Sequence, residues 1–73
     1  MRRKMHFSQL FKVSGIIVQP KVLVNINGAI INPDMAFCGG SSCNGVDVTR
    51  LIGLDLDVDI DSQNGVHTIL GPF

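Results

Sequence analysis

Four aspartates at every second position, Asp55, Asp57, Asp59 and Asp61, are the densest set of chemically capable side chains in this 73-residue chain. Carboxylates are hard oxygen donors, and Asp55-x-Asp57-x-Asp59 repeats the spacing of the first three ligands in an EF-hand calcium loop. The rest of that loop is missing. Its sixth position is Ile60 where a glycine is required, its twelfth is Val66 where a bidentate glutamate is required, and the chain contains no Glu. On an extended strand, carboxylates two residues apart stand roughly 6.5 to 7 Å from each other, too far for one strand to enclose an ion. Calcium would therefore have to bridge this ladder to a second surface, such as the same ladder in a neighbouring subunit. The plain alternative is a solvated face that keeps a half-exposed antiparallel strand soluble.

Cys38 and Cys43 form the second candidate group. Gly39-Gly40-Ser41-Ser42 between them makes a disulfide sterically easy, and so short a ring would add about 2 kcal/mol by the loop-entropy model. A bridge between chains, or two free thiols in a reducing compartment, fits the same residues. Zinc would need four ligands, and only His6 and His67 remain as nitrogen donors, neither at knuckle-like spacing. The pair is not Cys-x-x-Cys, and no helix N-terminus follows to stabilise a thiolate. Ser41 and Ser42 have no His or acid placed by local spacing to activate them, and their glycine-rich turn does not lead into a helix that could cradle a phosphate. Nothing here composes a catalytic constellation, and the expectation is a protein that is not an enzyme.

The element that must carry the aspartates is a strand. From Gly53 to Asp61, Leu54, Leu56, Val58 and Ile60 alternate with the four carboxylates, which places the two kinds on opposite faces of an extended chain. Other short apolar runs surround it. Ile16-Ile17-Val18 stops at Pro20, which cannot donate to a ladder. Val22, Val24 and Ile26 alternate with Leu23, Asn25 and Asn27, and Ala29-Ile30-Ile31 follows Asn27-Gly28, a strong hairpin signal because both residues accept positive φ. Asn32-Pro33-Asp34 predicts a turn, Met35 to Gly45 a loop containing Asn44-Gly45, and Val46, Val48 and Leu51 a further strand. Asn64-Gly65 as a two-residue turn predicts Val66 to Leu70 returning antiparallel, with Ile69 across from Ile60, Thr68 from Asp61 and His67 from Ser62.

These signals predict an all-β fold, a small antiparallel sandwich or barrel of about five to seven short strands with hairpin turns at Asn-Gly dipeptides. A chain this short supports one domain, burying about 60% of its unfolded surface, so a partner or a crosslink would help its core. Residues 1–14 read as a basic N-terminal arm and residues 15–73 as the single β-domain. In the arm, Arg2, Arg3 and Lys4 precede Phe7, Leu10 and Phe11, whose spacing would put them on one side of a short helix. Net charge is zero, but the bases concentrate in the first 21 residues and the acids are all Asp from Asp34 onward. The arm is therefore expected to lie on an Asp face, its own or that of another subunit, with exchange between subunits favoured.

The expected function is that of a non-enzymatic structural subunit assembling with copies of itself into a filament, shell, capsid or appendage. Its contacts would be the arm and β-edges at Ile16–Val18 and the C-terminal strand. The alternative is a calcium-dependent binding module on Asp55, Asp57, Asp59 and Asp61; otherwise no cofactor is expected. Zero net charge and a carboxylate face argue against a dedicated nucleic-acid binder, and no nucleic-acid partner is expected. No apolar run reaches the roughly 18 residues of a membrane span. The basic start lacks the apolar stretch of a Sec-type signal peptide, and paired cysteines would imply a surface or particle-associated protein.

Overall fold

The computed structural model describes residues 1–15, 17–34 and 45–73, with the backbone of residues 38–39. The strands are β1 (Arg2–His6), β2 (Phe11–Ser14), β3 (Ile17–Pro20), β4 (Val24–Ile26), β5 (Ala29–Ile31), β6 (Cys38–Gly39), β7 (Asp55–Ile60) and β8 (His67–Pro72). A single-turn helix, α1 (Phe7–Leu10), joins β1 to β2, and a 3-10 turn spans Val48–Leu51. One sheet has the order β1-β7-β8-β4-β5 and the other β2-β3-β6. The chain is mostly strand, and its sheets do not close into a barrel.

The large sheet is mixed rather than antiparallel, because β8 runs parallel to β4, with Val24 beside His67 and Ile26 beside Ile69. Parallel neighbours need a long crossover. Here β5, β6, the 3-10 turn and β7 lie between the two strands along the chain. This pairing also corrects the expected edges. β8 lies between β7 and β4, and β3, which holds Ile17 and Val18, lies between β2 and β6, so neither strand is an edge; Ile16 lies outside the described residues. Among the described residues, the rims of the large sheet are β1 and β5.

Residues 1–14 pack onto the rest of the chain. β1 pairs along its length with β7 of the same chain, so the basic segment meets the aspartates within one subunit. Phe7 and Leu10 sit on the buried side of α1 as their spacing predicts, and Phe11 follows them into the core. The rings of Phe7 and Phe11 stack with centroids 4.7 Å apart. Around them gather Val18 from the small sheet, Val24, Ile26, Ile31, Leu56 and Val58 from the large one, and Val48 and Leu51 from the 3-10 turn. The core thus draws on both sheets and on both helical turns.

Three local expectations change. The strand predicted from Val46 is the 3-10 turn, because the Asp47 carboxylate accepts the Thr49 N–H (3.1 Å) and caps it, turning Val48 and Leu51 inward three residues apart. The central strand is shorter than Gly53–Asp61. Gly53 takes a positive φ of 81° and Leu54 remains 41% exposed ahead of the ladder.

The turn between β7 and β8 is wider than two residues. Ile60 pairs with His67, Asp59 with Thr68 and Val58 with Ile69. Asp61 accepts the Gln63 N–H through its carboxylate (2.8 Å), and Asn64 accepts the Val66 N–H in the same way (2.9 Å). These side-chain bonds hold a broader loop than Asn64-Gly65 alone would make. The register moves by two, so each residue keeps its predicted face. By contrast Asn27 and Gly28, at φ 51° and 92°, link β4 to β5 directly, with Ile26 across from Ala29. The predicted disulfide and the loop from Met35 lie outside the described residues, apart from the backbone of Cys38 and Gly39 in β6.

Candidate functional site

The antiparallel register of β1 on β7 sets Arg2 across from Asp59, Lys4 from Asp57 and His6 from Asp55. Directly opposed residues share a face. All six therefore lie on the solvent side of the large sheet, while Leu56 and Val58 of the same strand are fully buried behind them. The Arg2 guanidinium donates through both Nε and a terminal nitrogen to the Asp57 carboxylate. That hydrogen bond first, and the charge of Asp57 second, raise the pKa of Arg2 above its ordinary value. The Met1 amino group donates to Asp59 at 2.9 Å and to the Ile60 carbonyl at 2.8 Å. Lys4 carries its Nζ 5.4 Å from the centroid of the Phe73 ring, a cation-π contact across β7 from β1 to the residue that follows β8. Arg3 falls across from Val58 and is exposed at the rim.

Asp61 separates from the other carboxylates. It lies beyond β7 and heads the loop to β8, so the strand carries three aspartates and not four. Among the described residues no three His, Cys, Asp or Glu side chains gather as a metal site. A polar recess of about 410 Å³ is lined by Met1, Asp59, Ile60, Asp61, Ser62 and Gln63. An apolar recess of about 320 Å³ is lined by Ile26, Asn27, Val46, Leu51 and residues 69–72, none of them titratable.

Both histidines bond to backbone, and His6 Nδ1 also lies 2.8 Å from the Ser8 hydroxyl oxygen. His67 Nδ1 lies 2.8 Å from the Gly65 carbonyl and 3.3 Å from that of Leu23, which fixes the hydrogen on Nδ1. His6 Nδ1 accepts the Ser8 N–H (3.2 Å), while Nε2 lies 3.2 Å from the Gly53 carbonyl and donates to it. Gln9 completes the cap by accepting the His6 N–H at 2.8 Å. Ser41 and Ser42 lie outside the described residues.

The rims of the sheet offer the remaining chemistry. Met1 and Ile60 exchange backbone bonds at 2.8 Å each way, and Phe7 N–H reaches the Leu54 carbonyl at 2.9 Å. With the two-residue alternation of an antiparallel ladder, Arg3 and Met5 bond inward to β7. Arg2 and Lys4 accordingly aim their N–H and C=O groups away from the sheet. On the opposite rim, the two-residue link makes Ile26 and Ala29 a hydrogen-bonded pair, so Ile30 aims its backbone groups outward. Its side chain is 57% exposed.

Period-two alternation of Arg2, Lys4 and His6 against Asp55, Asp57 and Asp59 was the available signal for this pairing. No local pattern marks Phe73 as the partner of Lys4. Compared with known proteins, the chain matches no family model, no curated protein and no solved structure. Among the described residues no helix is long and apolar enough to cross a membrane.

Proposed function

We propose that this protein is a non-enzymatic structural subunit that assembles with copies of itself through the edges of its large sheet, as in a filament, shell, capsid or appendage. One observation carries this reading: among the described residues β1 ends the sheet as a regularly paired strand, free of proline and bulge, with the N–H and C=O groups of Arg2 and Lys4 on its outer side. Soluble proteins usually shorten, bend, cover or charge such a rim, and of these devices β1 carries the charges of Arg2, Arg3 and Lys4. In this reading the basic segment acts as the edge strand of its own subunit, and the assembly contact is strand addition.

The test is the mass of the protein in solution, by light scattering after size exclusion, across a hundredfold range of concentration, at low and high salt and with and without reductant. A mass and a Tm that rise with concentration are expected. The mass of a single chain under every condition would overturn the reading.

A further inference from the structure

We infer that copies of this chain join head to tail, the β5 edge of one seated antiparallel on the β1 edge of the next, so that their large sheets run together into one continuous ribbon. This rests on the self-assembly reading and specifies its contact.

Strand direction supplies the first part of the inference. β1 is antiparallel to β7, β7 to β8 and β4 to β5, while β8 and β4 are parallel. Thus β1, β8 and β4 point one way, and β7 and β5 the other. A second copy displaced along the sheet, without being turned over, brings its β1 beside the oppositely directed β5 of the first. The new pair is antiparallel, and the buried faces of both sheets stay on one side. No strand has to reverse and no apolar face has to flip.

Charge chooses between this contact and the symmetric ones. Two β1 edges brought together around a two-fold axis would set Arg2, Arg3 and Lys4 against the same three residues, and like charges directly opposed in a ladder are destabilising. Two β5 edges could pair, but the resulting dimer would leave both basic rims unpaired. β5 itself is Ala29–Ile31, with no charged residue. The exposed Ile30 can lie against the methylene stems of Arg2 and Lys4 while their heads stay in water. Asp34, exposed and three residues beyond the end of β5, adds an acidic group beyond that strand.

A head-to-tail contact is heterologous and does not close unless its rotation forms a ring. With strands about 4.8 Å apart, each subunit would advance the ribbon by about 24 Å. Strand twist would wind it into a helix.

Two proline substitutions test the contact, because neither position bonds within its own sheet. Lys4→Pro blocks the β1 edge and Ile30→Pro the β5 edge, and circular dichroism reports whether each variant keeps its strands. Wild-type protein should form open-ended polymers, and each variant alone should be monomeric. Mixed one to one, the variants should form a dimer of twice the chain mass and nothing larger, since each retains the edge the other lacks. Polymers that persist in both variants, an Ile30→Pro variant that dimerises alone, or a mixture that stays monomeric while wild type polymerises would each overturn the head-to-tail contact and leave self-assembly standing. Wild-type protein that is monomeric throughout would overturn self-assembly itself. Should either proline variant unfold, Ile30→Glu and Ile30→Lys provide the reading. Across from a basic edge, Glu should lengthen the polymers at low salt and Lys should shorten them, whereas equal effects would overturn the contact.

Discussion

Arg2 binds Asp57, not Asp59, although Asp59 is the residue directly across the ladder from it. The diagonal choice distributes the neighbours: Asp59 takes the Met1 amino group, and Lys4, across from Asp57, turns to the Phe73 ring. Arg2 is 68% exposed and Asp57 21%, so the pair should contribute weakly and be screened by salt. Asp57→Asn is expected to lower Tm slightly at low ionic strength, with the difference fading near 1 M salt, where the screening length is about 3 Å. The pKa of Arg2 is raised on folding, so its contribution is complete below the unfolded value and lost only as pH climbs through the folded one. Between pH 6 and 10 the Arg2–Asp57 pair should therefore add no pH dependence through arginine, which thermal melts across that range would show.

Asp57 already has a cation beside it, and Asp61 has left the row to hold a loop. Millimolar calcium is accordingly expected to leave the melting temperature where a chelator leaves it. A rise of several degrees specific to calcium over magnesium would assign Asp55, Asp57 and Asp59 to a metal after all.

His6 closes α1 from one side and Gln9 from the other. Because α1 fastens Phe7 and Leu10 into the core, removing its cap should cost about 1 kcal/mol in denaturant unfolding for His6→Ala, with His6→Asn retaining most of the stability. Equal losses in the two variants would show that the ring's contact with the Gly53 carbonyl matters more than the cap.

Leu10 is fully buried, and Leu10→Ala should cost about 2–5 kcal/mol, a large part of what a small domain possesses. Removing residues 1–14 takes away Phe7, Leu10 and Phe11 together with an edge strand. The remaining 15–73 fragment should give the collapsed amide dispersion of an unfolded chain in a proton–nitrogen correlation spectrum. A well-dispersed spectrum would support a division into an arm, residues 1–14, and a domain, residues 15–73.

Local pattern carried the reading as far as local pattern reaches. Leu56 and Val58 are buried and Asp55, Asp57 and Asp59 face out because period-two alternation on a strand allows little else, and Phe7 and Leu10 share a face for the matching helical reason. What escaped was pairing. The partner of β1 was legible only by setting Arg2-x-Lys4-x-His6 against the aspartates as two matching ladders. The register of β8 depended on Asp61 and Asn64 bonding to the backbone two residues on, which composition does not distinguish from an ordinary turn. The parallel contact of β4 with β8 has no signature at either strand, since it is decided by how the intervening chain crosses over.

That crossover sets the order in which the protein can come together. Leu23 and His67 are 44 residues apart and bonded, and β8 fills the middle of the large sheet although every other strand precedes it along the chain. As the polypeptide leaves the ribosome, β4–β5 and the segment from β1 to β3 emerge early, with the apolar faces of Val24, Ile26, Phe7 and Leu10 still waiting for cover. Closing so long a loop around a late central strand makes the search slow for a chain of this length. Newly made chains would spend that interval as two half-sheets with an open gap between them.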